Sequence, residues 1–174
     1  MDDYPIIEFS ISTRGLTSAD AEVYRSVRLR GLHEWPPAFG SLPKTEPNLA
    51  ETAVRLAESE DHFFFGAFQG KQLLGIVRLS RYEAANEKHR AYLAGLYVLP
   101  KFRRRGCGRA LVNQALHRAA MTAGIRRVNL TVVTQQKNAI RLYQSFGFHI
   151  YGTEQETFIK DGQYYDEHLM TLEL

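Results

Sequence analysis

The stretch from Ala91 to Ala123 constrains this chain most. An apolar run, Ala91–Val98, leads into a loop carrying Lys101, Arg103, Arg104, Arg105 and Arg109, and then into a helical pattern from about Gly108 to Ala123. The apolar run reads as a strand covered on both faces. Gly95 interrupts it, and a glycine inside a strand marks a bulge or a close approach by another group. The helical segment sets Val112, Ala115, Leu116, Ala119 and Ala123 on one face, with Gly124 placed to end it. The first N–H groups of such a helix lack internal partners, and the helix dipole favours negative charge there. Gly106 and Gly108 remove side chains where a ligand must come close. The arginines add charge-assisted hydrogen bonds. The combination predicts a cradle for a pyrophosphate.

The charge balance supports one small polyanion and not a nucleic acid. The chain has 22 Lys and Arg against 19 Asp and Glu, and without the five loop cations only 17 basic residues remain. A nucleic-acid binder spreads its cations over a face to neutralise several phosphates. At 174 residues, 44% of them apolar, the chain reads as a single domain over 1–174. Its one Cys excludes an internal disulfide framework and a Cys-rich zinc site, and its six His have no metal-ligand spacing. No metal is expected. No apolar run approaches the roughly 18 residues that cross a bilayer. The start lacks the charged and apolar regions of a signal peptide. A cytoplasmic protein with no membrane partner is the expectation.

The remaining periodicities predict a mixed α/β sheet. Ile6–Ser12 reads as a first strand. A helix follows Thr17-Ser-Ala-Asp20 and stops at Trp35-Pro-Pro37. A second helix starts at Asn48, with Leu49, Ala53, Leu56 and Ala57 on one side. Phe63–Phe68 and Leu73–Tyr82 form a hairpin about Gln69-Gly70-Lys71. Arg127–Val133 is a strand, Asn138–Phe146 a helix, and Phe148–Ile159 and Tyr164–Leu172 a final hairpin turned at Asp161-Gly162. The predicted order is β-α-α-β-β-β-α-β-α-β-β, a mostly antiparallel sheet flanked by helices.

Several nucleotide motifs are absent. There is no G-x-x-x-x-G-K-[ST]. Leu111 stands where a Rossmann fingerprint needs a small residue, and no acid follows at Ile125–Asn129. Arg103-x-x-Gly106-x-Gly108, however, resembles the [R/Q]-x-x-G-x-[G/A] signature of the GNAT superfamily of acetyl-CoA-dependent N-acetyltransferases. Ala139-Ile-Arg-Leu-Tyr143-Gln-Ser-Phe-Gly147-Phe148 is similar to that family's A-x-x-L-Y-x-x-x-G-F helix, and the element order resembles its fold. The resemblance implies acetyl-CoA as co-substrate, lying where Ala91–Val98 splays from Arg127–Val133. Leu96, Tyr97 and Val98 would pair with the pantetheine arm. Arg103, Arg104, Arg105, Gly106, Cys107, Gly108 and Arg109 would form the cradle. Gln136 stands where the family often has an Asn contacting the pantetheine, with Asn138 the nearest Asn. Tyr143 takes the position of the family's general acid.

The acceptor is less defined. The resemblance implies direct attack by an amine, on a small molecule, a peptide or a protein, with a homodimer as one form of assembly. Tyr92 falls where some members carry a catalytic Glu. Glu83, Glu87 and Asp166 are candidate acids in its place. Tyr92 and Phe39, the latter in the aromatic Leu32–Leu42 stretch, are candidate acceptor contacts. Cys107 could be activated at a helix N-terminus or packed behind the loop. The competing reading is a non-catalytic acyl-CoA-binding module with the same cradle.

Overall fold

The computed structural model describes residues 10–35, 43–57 and 59–174. In chain order the elements are β1 (Ser12–Gly15), α1 (Ala21–Glu34), α2 (Leu49–Arg55), β2 (His62–Gln69), β3 (Gln72–Arg81), β4 (Arg90–Val98), α3 (Cys107–Met121), β5 (Arg127–Val133), α4 (Lys137–Gln144), β6 (His149–Lys160) and β7 (Gln163–Glu173). The seven strands form one sheet in the order β1-β2-β3-β4-β5-β7-β6. Neighbours are antiparallel except β4 and β5.

Successive side chains on a strand point to opposite faces, so a strand apolar throughout feeds two cores. In β2, Phe63 and Phe65 join one cluster, with Leu111, Val112 and Ala115 of α3. Phe64 and Phe68 join the other, with Tyr24 and Val27 of α1. The sheet is therefore a middle layer, with α3 and α4 on one face and α1 and α2 on the other. On the second face, the 3-10 turn Ser18–Asp20 that leads into α1 and the helix α2 each start with a capping box. Before α2, the Glu51 N–H donates to Asn48 Oδ1 at 3.0 Å, and the Asn48 N–H donates to Glu51 Oε2 at 2.9 Å. Leu56 just beyond α2 is buried, whereas Leu49, expected on the same side, is exposed.

The first strand differs from its expected span. Most of Ile6–Ser12 lies outside the described residues, and β1 runs over Ser12–Gly15. Its pairing with Phe65–Phe68 of β2 defines it, not an alternation of its own, since its side chains are largely exposed. Elsewhere the strands and helices lie within two residues of their predicted ends.

One irregularity positions the site. β4 and β5 pair only over Arg90–Tyr92 and Arg127–Asn129. Beyond Tyr92, β4 continues to Val98 bonded to β3 alone among the strands. The β3–β4 register slips between Ile76 and Arg78, opposite Gly95, whose φ is +64°. That backbone conformation costs an L-residue roughly 1–2 kcal/mol and suits glycine. The bulge bends β4 away from β5 and leaves a gap in the middle of the sheet.

Candidate active site

The gap opens into a cavity of about 290 Å³ lined by residues of β3, β4, β5, β6, β7 and α4. Leu96 and Gly95 of β4 face it, whereas Tyr97 is buried on the α1 side and donates to Glu34 Oε2 at 2.7 Å. Burial and the adjacent Glu34 push the Tyr97 phenol up to about 12.

The basic loop runs from Val98 to the start of α3. Pro100–Phe102 form a 3-10 turn, and Arg104 (φ 59°) and Gly106 (φ 88°) take left-handed backbone conformations. Gly106 caps α3, and the helix begins at Cys107. Its first turn is open at the loop, with Arg104, Arg105 and Arg109 exposed around it. Arg109 also donates to Ser145 Oγ at 3.0 Å, tying the loop to the end of α4. A Cβ at Gly108 would stand 3.4 Å from Leu142 and 3.9 Å from Val98, in ordinary contact, so α4 and β4 pack directly beside this first turn of α3.

Arg103 is placed differently from its neighbours. Its guanidinium lies 2.6 Å from Glu34 Oε1 and donates to the Val98 carbonyl at 2.9 Å. That side chain braces the loop against α1 and is not directed into the cradle. Cys107 is also turned inward. It is buried in the core cluster, and burial pushes its thiol up. The packed reading holds, and only its backbone faces the loop.

Tyr143 of α4 lies against the gap. Its ring meets Phe148 edge-on at 5.9 Å, and among the described residues its hydroxyl has no hydrogen-bond partner. Burial, with a smaller contribution from Tyr92, pushes this phenol well above its ordinary value. Gln136, which precedes α4, also lines the cavity. Asn138 is exposed and lies outside it. Tyr92 lines the cavity and shares a 2.8 Å hydrogen bond with Thr131 Oγ1 of β5. Phe39 falls outside the described residues.

The three acids expected from the sequence do not line the gap. Glu83 borders a different, neighbouring cavity. Glu87 is paired with Arg90. Asp166 accepts from the Glu156 N–H at 2.9 Å, which fixes an irregular stretch of β6. The acid at the gap is the next residue, Glu167, only 8% exposed. Burial pushes its carboxyl up, Glu154 beside it adds to the effect, and Thr131 works the other way. Period-2 alternation along β7 separates Asp166 from Glu167, a signal that needs the strand's facing to be known.

Residues 29–148, more than half of the chain, match the acetyltransferase (GNAT) family. The chain belongs to that family. An L-amino acid N-acetyltransferase of Escherichia coli K12, AaaT, is 29% identical over 76 residues, 44% of this chain and 47% of that protein. Spermidine N(1)-acetyltransferase of Vibrio cholerae is 29% identical over 96 residues, 55% of this chain and 54% of that protein. The chain thus spans about half the length of these curated relatives. The structure of yncA from Salmonella typhimurium, determined with acetyl-CoA, superposes with a TM-score of 0.82 at 18% identity, covering 95% of this chain and 94% of that one. At 18% identity that neighbour shows a shared fold, which extends over nearly the whole of this GNAT chain. Among the described residues, no helix is long and apolar enough to cross a membrane.

Proposed function

We propose that residues 1–174 form one catalytic domain that moves the acetyl group of acetyl-CoA directly to a primary amine, with Tyr143 as general acid. The observation that carries this reading is Tyr143, a buried side chain at the gap whose hydroxyl has no partner among the described residues. The open first turn of α3, with Arg104, Arg105 and Arg109, holds the pyrophosphate. The unpaired edge of β4 beyond Tyr92 accepts the pantetheine arm as an added strand. Its backbone N–H groups near Leu96 stabilise charge on the thioester oxygen.

Glu167 takes the proton from the incoming ammonium. Its raised pKa brings it nearer to the amine it must deprotonate, which favours proton transfer at neutral pH. The free amine attacks the acetyl carbon, the C–N bond forms, and the C–S bond breaks. Tyr143, protonated at neutral pH, gives its proton to the departing thiolate, and the second proton, shed by the nitrogen as it becomes an amide, restores the phenol. The dry surroundings that hold the phenol protonated also make the thiolate a stronger base, so donor and acceptor are matched. Release of free thiol from acetyl-CoA on addition of an amine tests the reading. Binding of acetyl-CoA without turnover of any amine would return the chain to an acyl-CoA-binding module.

A further inference from the structure

A second, larger cavity of about 780 Å³ lies on the α1 and α2 face of the sheet. It shares two lining residues with the gap, Arg78 and Tyr92. An acceptor reaching the gap from this side therefore passes Arg78. Two other arginines nearby have assigned partners. Arg28 lies 2.9 Å from Glu46 in a buried ion pair. Arg81 lies 3.9 Å from Asp61 and donates to the Lys88 carbonyl at 2.6 Å. Arg78 is half-buried, and among the described residues it makes no ion pair and no hydrogen bond. Arg55 at the cavity wall adds positive potential. The Ser80 hydroxyl, on the same face of β3, is buried and also without a partner.

We infer that Arg78, with Ser80 beside it, binds a carboxylate of the acceptor, so that the amine acetylated belongs to a small amino acid. A guanidinium remains protonated in proteins and presents a planar fork that fits a carboxylate. Leaving it unpaired in a protein cavity costs stability, and an anionic ligand supplies the missing partner. Arg78 pairs across the sheet with Ala94, next to the Gly95 bulge. One strand spacing, about 4.8 Å, separates it from the strand whose edge bears the thioester. The carboxylate and amine therefore sit a few bonds apart on one molecule, as in an α-amino acid. The same charge repels polyamines. Val54, Ala57, Phe64 and Tyr82 form the apolar part of a wall that also carries Ser59, His62 and Glu83, and that part faces the acceptor's side chain.

This inference rests on the acetyl-transfer reading above and is tested separately from it. Thiol release is measured with matched pairs, L-methionine against 3-(methylthio)propylamine and L-phenylalanine against phenethylamine, and with spermidine. The wild type is expected to favour each acid over its decarboxylated partner by roughly 10–100-fold in kcat/KM, the worth of a charged hydrogen bond. Arg78→Gln should collapse that ratio toward one, and Arg78→Lys should restore part of it. Thermal unfolding of Arg78→Gln should show no loss of stability, because no internal partner is removed. Equal or better use of the decarboxylated amines or spermidine overturns the inference while leaving the transferase reading intact. Failure to acetylate any carboxylate-bearing acceptor overturns it as well, and acetyl-CoA calorimetry then reports on the cradle alone.

Discussion

Tyr143→Phe separates a catalytic hydroxyl from a structural one, because the two roles predict stability changes of different sign. The ring is buried and meets Phe148 at 5.9 Å, and phenylalanine keeps those contacts. A structural tyrosine would lose a hydrogen bond worth about 1 kcal/mol. Here the hydroxyl has no partner among the described residues, so its removal costs nothing in the folded protein and relieves a desolvated group. The melting temperature should stay level or rise. The rate should do the opposite. Loss of a general acid costs about 10²–10⁴-fold in kcat. Acetyl-CoA affinity, set by the α3 turn and the β4 edge, should hardly change. The assay is thiol release under single-turnover conditions, with calorimetry for acetyl-CoA and a thermal melt on the same preparation. An unchanged rate in a step shown to be chemistry would refute the reasoning. So would a fall in melting temperature that matches a lost hydrogen bond.

Three further outcomes follow from groups whose protonation the fold controls. Activity should rise with pH through the ionisation of Glu167, at a pH above the ordinary carboxylate range because burial raises that group; Glu167→Gln should lower kcat/KM and abolish this acid limb. Asp20, held down to about 2 chiefly by its hydrogen bond to Arg14, contributes stability above its unfolded pKa near 3.9, and loses it as pH falls through about 2. Urea midpoints of wild type and Asp20→Asn should therefore differ at neutral pH and converge as the pH is lowered from 4 toward 2. Cys107, buried in the core, should resist a thiol reagent in the native protein and titrate as one thiol after unfolding.

The elements were legible because their periodicities are strong. Val112, Ala115 and Ala119 point one way on α3 and are fully buried. Gly95 was legible as a bulge because a lone glycine in an apolar strand has few other uses. The cradle could be read from a helix start and its arginines, but the separate fate of Arg103 could not. Its guanidinium goes to Glu34, which lies 69 positions earlier in the sequence and reaches the loop only through tertiary packing. Glu167 was missed for a related reason. It and Asp166 are adjacent acids on one strand, and their roles diverge only once β7 lies between β5 and β6. Arg78 follows the apolar run Leu73–Val77, and nothing in the sequence separates it from a solvated charge. Its exposure to a cavity instead depends on where α2 crosses the sheet.

The gap itself must be held open by something other than the sheet, because β4 loses β5 as a partner after Tyr92. α1 takes over that task with polar side chains. The Arg28 guanidinium, neutralised by Glu46, stands against Gly95, where a Cβ would come within 3.3 Å of it. Six residues further along the helix, Glu34 accepts from Tyr97 and pairs with Arg103. Burial opposes the charge on Glu34, yet these two donors hold its carboxyl below the ordinary range. Apolar packing alone would permit β4 to slide or to close on β5, since dispersion has little direction. Charged hydrogen bonds have direction and are about twice as strong as neutral ones. They pin the diverging half of β4 at the bulge and again at the start of the loop. The two anchor points bracket Leu96, the residue whose backbone we propose faces the thioester. A paired arginine thus sets the width of the gap, and an unpaired one, Arg78, is left for the acceptor.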